Sequence, residues 1–342
     1  MCIFISLHLI HLFRPLFQLF PLPLSRSLAT RPRQLEVPHE HAEAFRLDDP
    51  MGGEHMNLMK AGLQMAHRLV AVSPGYAWEC TTPEGGWGLH EVLREAGWKT
   101  RGVINGIDYA EWAPMNDKHL DSDGYRRYGP DDLLEGKAAC KAALQRELGL
   151  PVDAAAPLLA FIGRLDYQKG VDLIAESFDW LLDQGAQVAL LGSGREDLEH
   201  ALREMEARGG GRARAHVGFS VALAHRLTAG ADVLLMPSRF EPCGLNQLYA
   251  MSYGTVPVVH AVGGLRDTVR PFDPHANEGT GWTFAHADGH CFRTACSDAM
   301  LTFREHRASF EGIQRRGMAQ DLSWDAAAKQ YEEVLLEAKY QW

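Results

Sequence analysis

From residue 158 onward, short continuous apolar runs alternate with segments of helical period. The runs 158–162, 187–191, 213–217, 232–237 and 256–260 have the length of strands, and the first reads as a buried one. Between them Val171, Ile174, Phe178 and Leu181, then Leu198, Ala201, Leu202 and Met205, recur at helical spacing, and a short helix is expected over 221–229. A short run at 282–285 and helices from 290 to the end complete the pattern. Strands alternating with helices at this spacing predict an α/β, Rossmann-like parallel sheet with right-handed crossovers. The last helix, capped near Ser323, is expected to bury Tyr331, Val334, Leu335 and Ala338.

Upstream the pattern is less regular. A helix is expected over 56–66 and a strand over 68–72, with Ser73 capping the turn after it. Trp78, Trp87 and Trp98 read as anchors of a loop-rich layer. The apolar run 102–104 leads into the turn signal Asn105-Gly106. Residues 117–149 are polar and charged and end in a helix over 137–148, and 151–157 form a linker. Residues 1–24 are apolar but interrupted by Pro15, Pro21 and Pro23, which argues against a transmembrane helix. Residues 25–34 are basic and free of acids, as transit peptides are. Either 1–34 is an organelle address or the start of the gene is misplaced. The expected division is 1–34 as that segment, 35–98 as a stretch too short for a complete α/β domain, 99–325 as the Rossmann-like domain and 326–342 as a terminal helix.

The charge balance, 34 Lys+Arg against 44 Asp+Glu for a net −10, excludes a basic duplex-binding face. It leaves a neutral polymer open as a partner. Six scattered cysteines with no C-x-x-C pair read as reduced thiols.

The chemistry concentrates where strands end. Pro242 forces Glu241 out of any helix, just past the run 232–237. Gly244 is expected to open a helix whose first amides, at Leu245 and Asn246, suit an anion. Leu245, Leu248 and Tyr249 are expected to fix that helix to the sheet. Cys243 reads as a packing residue rather than a nucleophile. After the first strand, Arg164 and Lys169 flank a helix start and suit a diphosphate. The competing reading is surface pairing with Asp166 or Asp172, worth about 0–1 kcal/mol. Gly192 and Gly194 form a tight turn, since Asp197 stands where a dinucleotide fingerprint needs glycine. Phe219 either stacks on a base or closes the core. Gly263 and Gly264 imply close backbone approach to ligand or sheet. His216, His225 and His260 lack metal-ligand spacing, so no metal site and no cofactor are expected.

The segments KTRGVINGIDYAEW, FIGRLDYQKGVDLI and SRFEPCGLNQLYAMSYGTVPVVHAVGGLRDTV resemble the C-terminal half of bacterial-type glycogen synthases and plant starch synthases. DPMGGEHMNLMKAG, EGGWGLHEVL and the terminal RRGMAQDLSWDAAAKQYEEVLLEAKYQW are similar to the soluble starch synthase II branch of green plants and algae. The resemblance covers roughly residues 35–342. It implies a GT-B fold and retaining transfer of glucose from ADP-glucose to the non-reducing end of an α-1,4-glucan, in the plastid stroma. It places Arg164 and Lys169 on the diphosphate, Glu241 on the transferred glucose, and the amides of residues 244–246 on the phosphate. Asn105 would line the sugar site and Phe219 would lie near the adenosine. No second acid follows Glu241, since Tyr249 takes its place. The family's K-x-G-G-L loop is absent, which raises the expectation of a truncated chain with little activity. Such a chain would bind ADP-glucose or a partner synthase, or associate with other starch-biosynthetic enzymes, without a membrane. An NAD-dependent oxidoreductase is the third reading, opposed by the incomplete glycine fingerprint.

Overall fold

A computed structural model describes residues 39–48 and 53–340. The segment read as an organelle address or misplaced start lies outside them. The described residues divide into two compact units, 106–326 and those up to 105 together with those from 327 on.

In the smaller unit, β1 (Arg46–Asp48) pairs antiparallel with β2 (Glu54–Met56), Leu47 opposite His55. The helix Leu58–Met65 starts two residues later than expected, because Asn57 Oδ1 accepts from the Lys60 amide (2.8 Å) and caps it. β3 (Leu69–Ala71) is fully buried and runs parallel to β4 (Thr100–Gly102). Ser73 Oγ accepts from the Tyr76 amide (3.1 Å) and starts the helix Pro74–Glu79, as its position predicts. Val334 of the last helix, Trp324–Tyr340, packs on Val70 and Val103. Val334 and Ala338 are buried, Tyr331 is half-buried, and Leu335 is 48% exposed, contrary to expectation. The helical period puts Leu335 one position past Val334, turned about 100° away from the buried stripe. Trp78, Trp87 and Trp98 are all exposed and do not anchor an inner layer. Leu63, Leu69, Tyr76 and Leu93 fill that interior instead.

The larger unit is built on one six-stranded parallel sheet in the order β10-β9-β8-β5-β6-β7. Its strands are β5 (Leu158–Ile162), β6 (Gln187–Gly192), β7 (Ala213–Val217), β8 (Val233–Met236), β9 (Val256–His260) and β10 (Trp282–Phe284). Alternation along each strand sends side chains to two faces. From β5, Leu159 and Phe161 join Ile174, Phe178, Leu202 and Phe310 on one face. Leu158 and Ala160 join Leu133, Leu144, Leu227 and Tyr253 on the other. Both faces being covered is why β5, β6, β8 and β9 read as largely apolar runs, whereas β7 (ARAHV) is only partly buried.

The helix Leu133–Glu147 starts four residues before the expected 137 and carries two buried lysines. Lys137 Nζ donates to Ala229 O (2.9 Å) and Thr255 Oγ1, and Lys141 Nζ pairs with Asp232 (2.7 Å). Burial pulls the Lys137 ammonium down to about 8. Among the described residues no helix is long and apolar enough to cross a membrane. The five described cysteines are free thiols, four of them buried.

Candidate functional site

Strand order reverses at β5, which pairs with β6 on one side and β8 on the other. Open α/β sheets bind ligands outside the carboxyl ends at such a switch point. The two loops that meet there are residues 163–170 after β5 and 237–246 after β8. Gly170 sits at φ +70°, and a Cβ there would stand 2.0 Å from Pro237 O, so only glycine lets the loops touch.

Arg164, Lys169 and Glu241 come together on these loops. Lys169 Nζ pairs with Glu241 Oε2, and Ser238 Oγ donates to the same oxygen (3.2 Å). Glu241 is 7% exposed, so this is a desolvated acid held by a cation and a hydroxyl. Arg164 is exposed and stands 3.6 Å from Asp166, with Nη2 donating to Gln168 Oε1 (3.3 Å). The surface-pairing reading therefore holds only for Arg164. Asp172 is taken by the two-pronged guanidinium of Arg239 (2.8 and 2.7 Å).

Two residues that the sequence reading passed over brace the pair. Gln168 Nε2 donates to Phe240 O (2.9 Å), and its carbonyl accepts from the Arg239 amide (2.8 Å), tying one loop to the other. Ser238 is buried and reaches Glu241 directly. Both lie within three residues of a chosen residue, which was the one signal available.

The remaining residues divide. Gly244 has φ +66°, and the helix spans Asn246–Ser252, with Leu245 at its N-cap rather than Gly244 at its start. Of the three residues expected to fix it, Leu248 alone is deeply buried, for Leu245 is 38% exposed and Tyr249 stacks on Trp112 at 3.9 Å. Asn246 Nδ2 donates to Ile162 O (2.8 Å), so its carboxamide is spent on the end of β5. Cys243 is buried. Gly263 and Gly264 approach backbone closely, but the backbone is that of the Glu241 loop. A Cβ would lie 2.2 Å from Glu241 O at Gly263 and 1.9 Å from Cys243 O at Gly264. The Gly264 amide donates to Glu241 O (3.0 Å). Gly194 likewise packs on Leu165 O, fitting the tight-turn reading. Phe219, after β7, is 87% exposed and does not close the core. Asn105 belongs to the smaller unit, where Oδ1 accepts from the Tyr331 hydroxyl (2.9 Å).

One cluster escaped the sequence reading because its members come from distant segments. Asp117, His119 and His225 each bring a potential metal-ligand atom within 4.8 Å of the others. In this structure they form a hydrogen-bonded network. Asp117 Oδ2 lies 2.9 Å from His225 Nδ1 and accepts from the Tyr253 hydroxyl (2.7 Å). Burial pushes the Asp117 carboxyl up, but hydrogen bonds from His225, Tyr253 and the His119 amide outweigh it and hold it below its usual range. His216 is exposed, and His260 Nδ1 meets Ser238 O at 2.8 Å.

A desolvated carboxylate, the cation paired with it, an exposed arginine and a glycine-braced loop thus lie at the switch point of a parallel sheet, where such sheets bind ligands. Residues 149–292 match the family "Glycosyl transferases group 1", and residues 20–95 match "Starch synthase catalytic domain". The second match begins inside the segment set aside above. Granule-bound starch synthase 2 of Pisum sativum is 58% identical over 308 residues, 90% of this chain and 41% of that protein. Starch synthase 2 of Arabidopsis thaliana is 59% identical over 308 residues, 90% of this chain and 39% of that protein. The structure of the catalytic domain of starch synthase IV from Arabidopsis thaliana superposes with a TM-score of 0.76 at 34% identity, covering 85% of this chain and 59% of that one. The chain belongs to the starch synthase family and carries the C-terminal half of its GT-B fold. It spans about two fifths of the length of the curated relatives it matches.

Proposed function

We propose that the chain binds ADP-glucose at the switch point of the larger unit and serves glucosyl transfer to the non-reducing end of an α-1,4-glucan. The observation that carries this reading is the Lys169–Glu241 pair beside Arg164, where loops from β5 and β8 meet. A departing ADP gains charge as the sugar–phosphate bond breaks, and fixed cations at that point lower the barrier. Lys169 would pass from Glu241 to the diphosphate when the donor enters, and Arg164 would swing its exposed guanidinium onto it. Glu241, released from the ammonium and still near Ser238, would meet the glucose hydroxyls. The amides of residues 244–246 would take the phosphate, Phe219 the adenine face and Asn105 the sugar.

Support comes from the relatives' names, which are those of starch synthases of chloroplast and amyloplast, and from a structural neighbour bound to ADP and acarbose. On the same ground we place the chain in the plastid stroma, with glucan as acceptor and other starch-biosynthetic enzymes as partners.

The test is calorimetric binding of ADP to the expressed chain, together with glucose transfer from labelled ADP-glucose to glycogen. Binding that disappears in Arg164→Ala and Lys169→Ala, with transfer, supports the full reading. Binding without transfer leaves a donor-binding chain and removes the catalytic part. Absence of binding overturns the site.

A further inference from the structure

Gln247 is the second residue of the helix Asn246–Ser252 and is fully buried, in a helix otherwise held by Leu248 and Met251. A buried glutamine costs more than leucine or methionine of similar size unless its donors are used. They are used in one direction. Nε2 donates to Gly244 O (2.9 Å), Cys243 O (3.1 Å) and Thr268 Oγ1 (3.1 Å). Exchanging the two ends of the carboxamide would turn its oxygen onto two carbonyls, so this orientation is fixed by the contacts. Among the described residues Oε1 has no hydrogen-bond donor, and it stands 2.4 Å from where a Cβ on Gly244 would be.

In a trans peptide the carbonyl and the N–H point in opposite directions. The chain has no cis peptide among its described residues. Two successive carbonyls drawn inward to one nitrogen therefore turn two successive N–H groups, those of Gly244 and Leu245, outward. Positive φ at Gly244 (+66°) followed by right-handed Leu245 (φ −115°, ψ −28°) is the sequence of conformations that makes successive N–H groups converge.

We infer that Gln247 is a positioning residue, whose side-chain amide aims the Gly244 and Leu245 N–H groups at the donor's phosphates. The role rests on the donor-site reading above. It also accounts for Gly244: a side chain there would displace the Gln247 carboxamide and release the carbonyls it holds.

The test uses the 342-residue chain, with ADP and pyrophosphate binding by calorimetry and adenosine binding by displacement of labelled ADP. Gln247→Met keeps the volume and removes both donor protons. ADP and pyrophosphate should bind about tenfold to a hundredfold more weakly, the loss of one or two charge-assisted hydrogen bonds. Adenosine, which has no phosphate, should bind unchanged. Equal weakening of ADP and adenosine would make Gln247 a packing residue and overturn the inference, as would unchanged ADP affinity. Gln247→Glu gives an independent arm if the methionine variant does not fold. At pH 8 its carboxylate cannot donate and ADP affinity should fall further. On acidification the buried acid regains one proton and affinity should recover severalfold, relative to wild type at the same pH. A flat pH response would count against the role. Wild type that binds neither ADP nor pyrophosphate overturns the donor site itself, an outcome distinct from a silent Gln247.

Discussion

Lys169 is shared between two anions, the Glu241 carboxylate that holds it here and the diphosphate proposed to take it. Two unit charges about 4 Å apart interact by up to roughly 4 kcal/mol near a protein surface, so that competition is worth measuring. Glu241→Gln removes one competitor and one repulsive charge beside the phosphates. ADP should then bind more tightly, by about tenfold or roughly 1.4 kcal/mol, while transfer falls because the contact to glucose is weakened. Isothermal titration with a parallel transfer assay reads both, and weaker ADP binding in the variant would mean that Glu241 orders the site rather than occupying Lys169. Lys137 offers a second test at this scale. Its ammonium falls from 10.5 to about 8 on burial. The folded state therefore carries a penalty that is full below pH 8 and vanishes as pH rises to 10.5, about 3 kcal/mol at most. Urea unfolding should show wild type gaining stability on Lys137→Met between pH 7.5 and 10. Parallel curves would mean that Lys137 keeps its proton at little cost.

Among the elements, the glycine pair Gly263 and Gly264 decides whether the Glu241 loop holds its shape. The 1.9 Å between a Cβ on Gly264 and Cys243 O cannot be relieved by a rotamer change, since the obstacle is backbone. Gly264→Ala should cost about 2–4 kcal/mol in urea unfolding and abolish ADP binding, because helix and loop must separate. Tolerance of alanine would show that the loop is free to shift. The elements differ in how far the sequence disclosed them. β5 and β9 were legible to the residue, because strands covered on both faces leave largely apolar runs, whereas β7 (ARAHV) matches its expected bounds though only Ala213 is buried. The helix after Glu241 was not, since Gly244 and Leu245 are held out of it by Gln247, a contact no local pattern encodes. Lys137 and Lys141 stand in a segment whose polar composition gives no sign that either is buried. Their partners, Thr255 and Asp232, lie 118 and 91 residues away, and only the folded chain brings them near. Arg164, Lys169 and Glu241 were legible as strand-end chemistry, whereas their mutual pairing was not, because strand order and not sequence order puts β8 beside β5.

For the molecule as a whole, the residues proposed to hold the nucleotide lie within one unit. Arg164, Lys169, Phe219, Glu241, Gly244 and Gly264 all belong to residues 106–326, and Asn105 alone belongs to the other unit. Ligand that binds only the native state slows local opening where it binds, by up to about a hundredfold at a concentration 100 times Kd. Hydrogen exchange read by mass spectrometry should accordingly slow in peptides covering 163–170 and 238–246 when ADP is added. Peptides covering β3 and the helix Pro74–Glu79 should not respond. Asn105 separates nucleotide from sugar: if it meets glucose, its peptide is protected by ADP-glucose and not by ADP. Protection of that peptide by ADP alone would assign Asn105 to the nucleotide. Protection by neither would return its carboxamide to the hydroxyl of Tyr331.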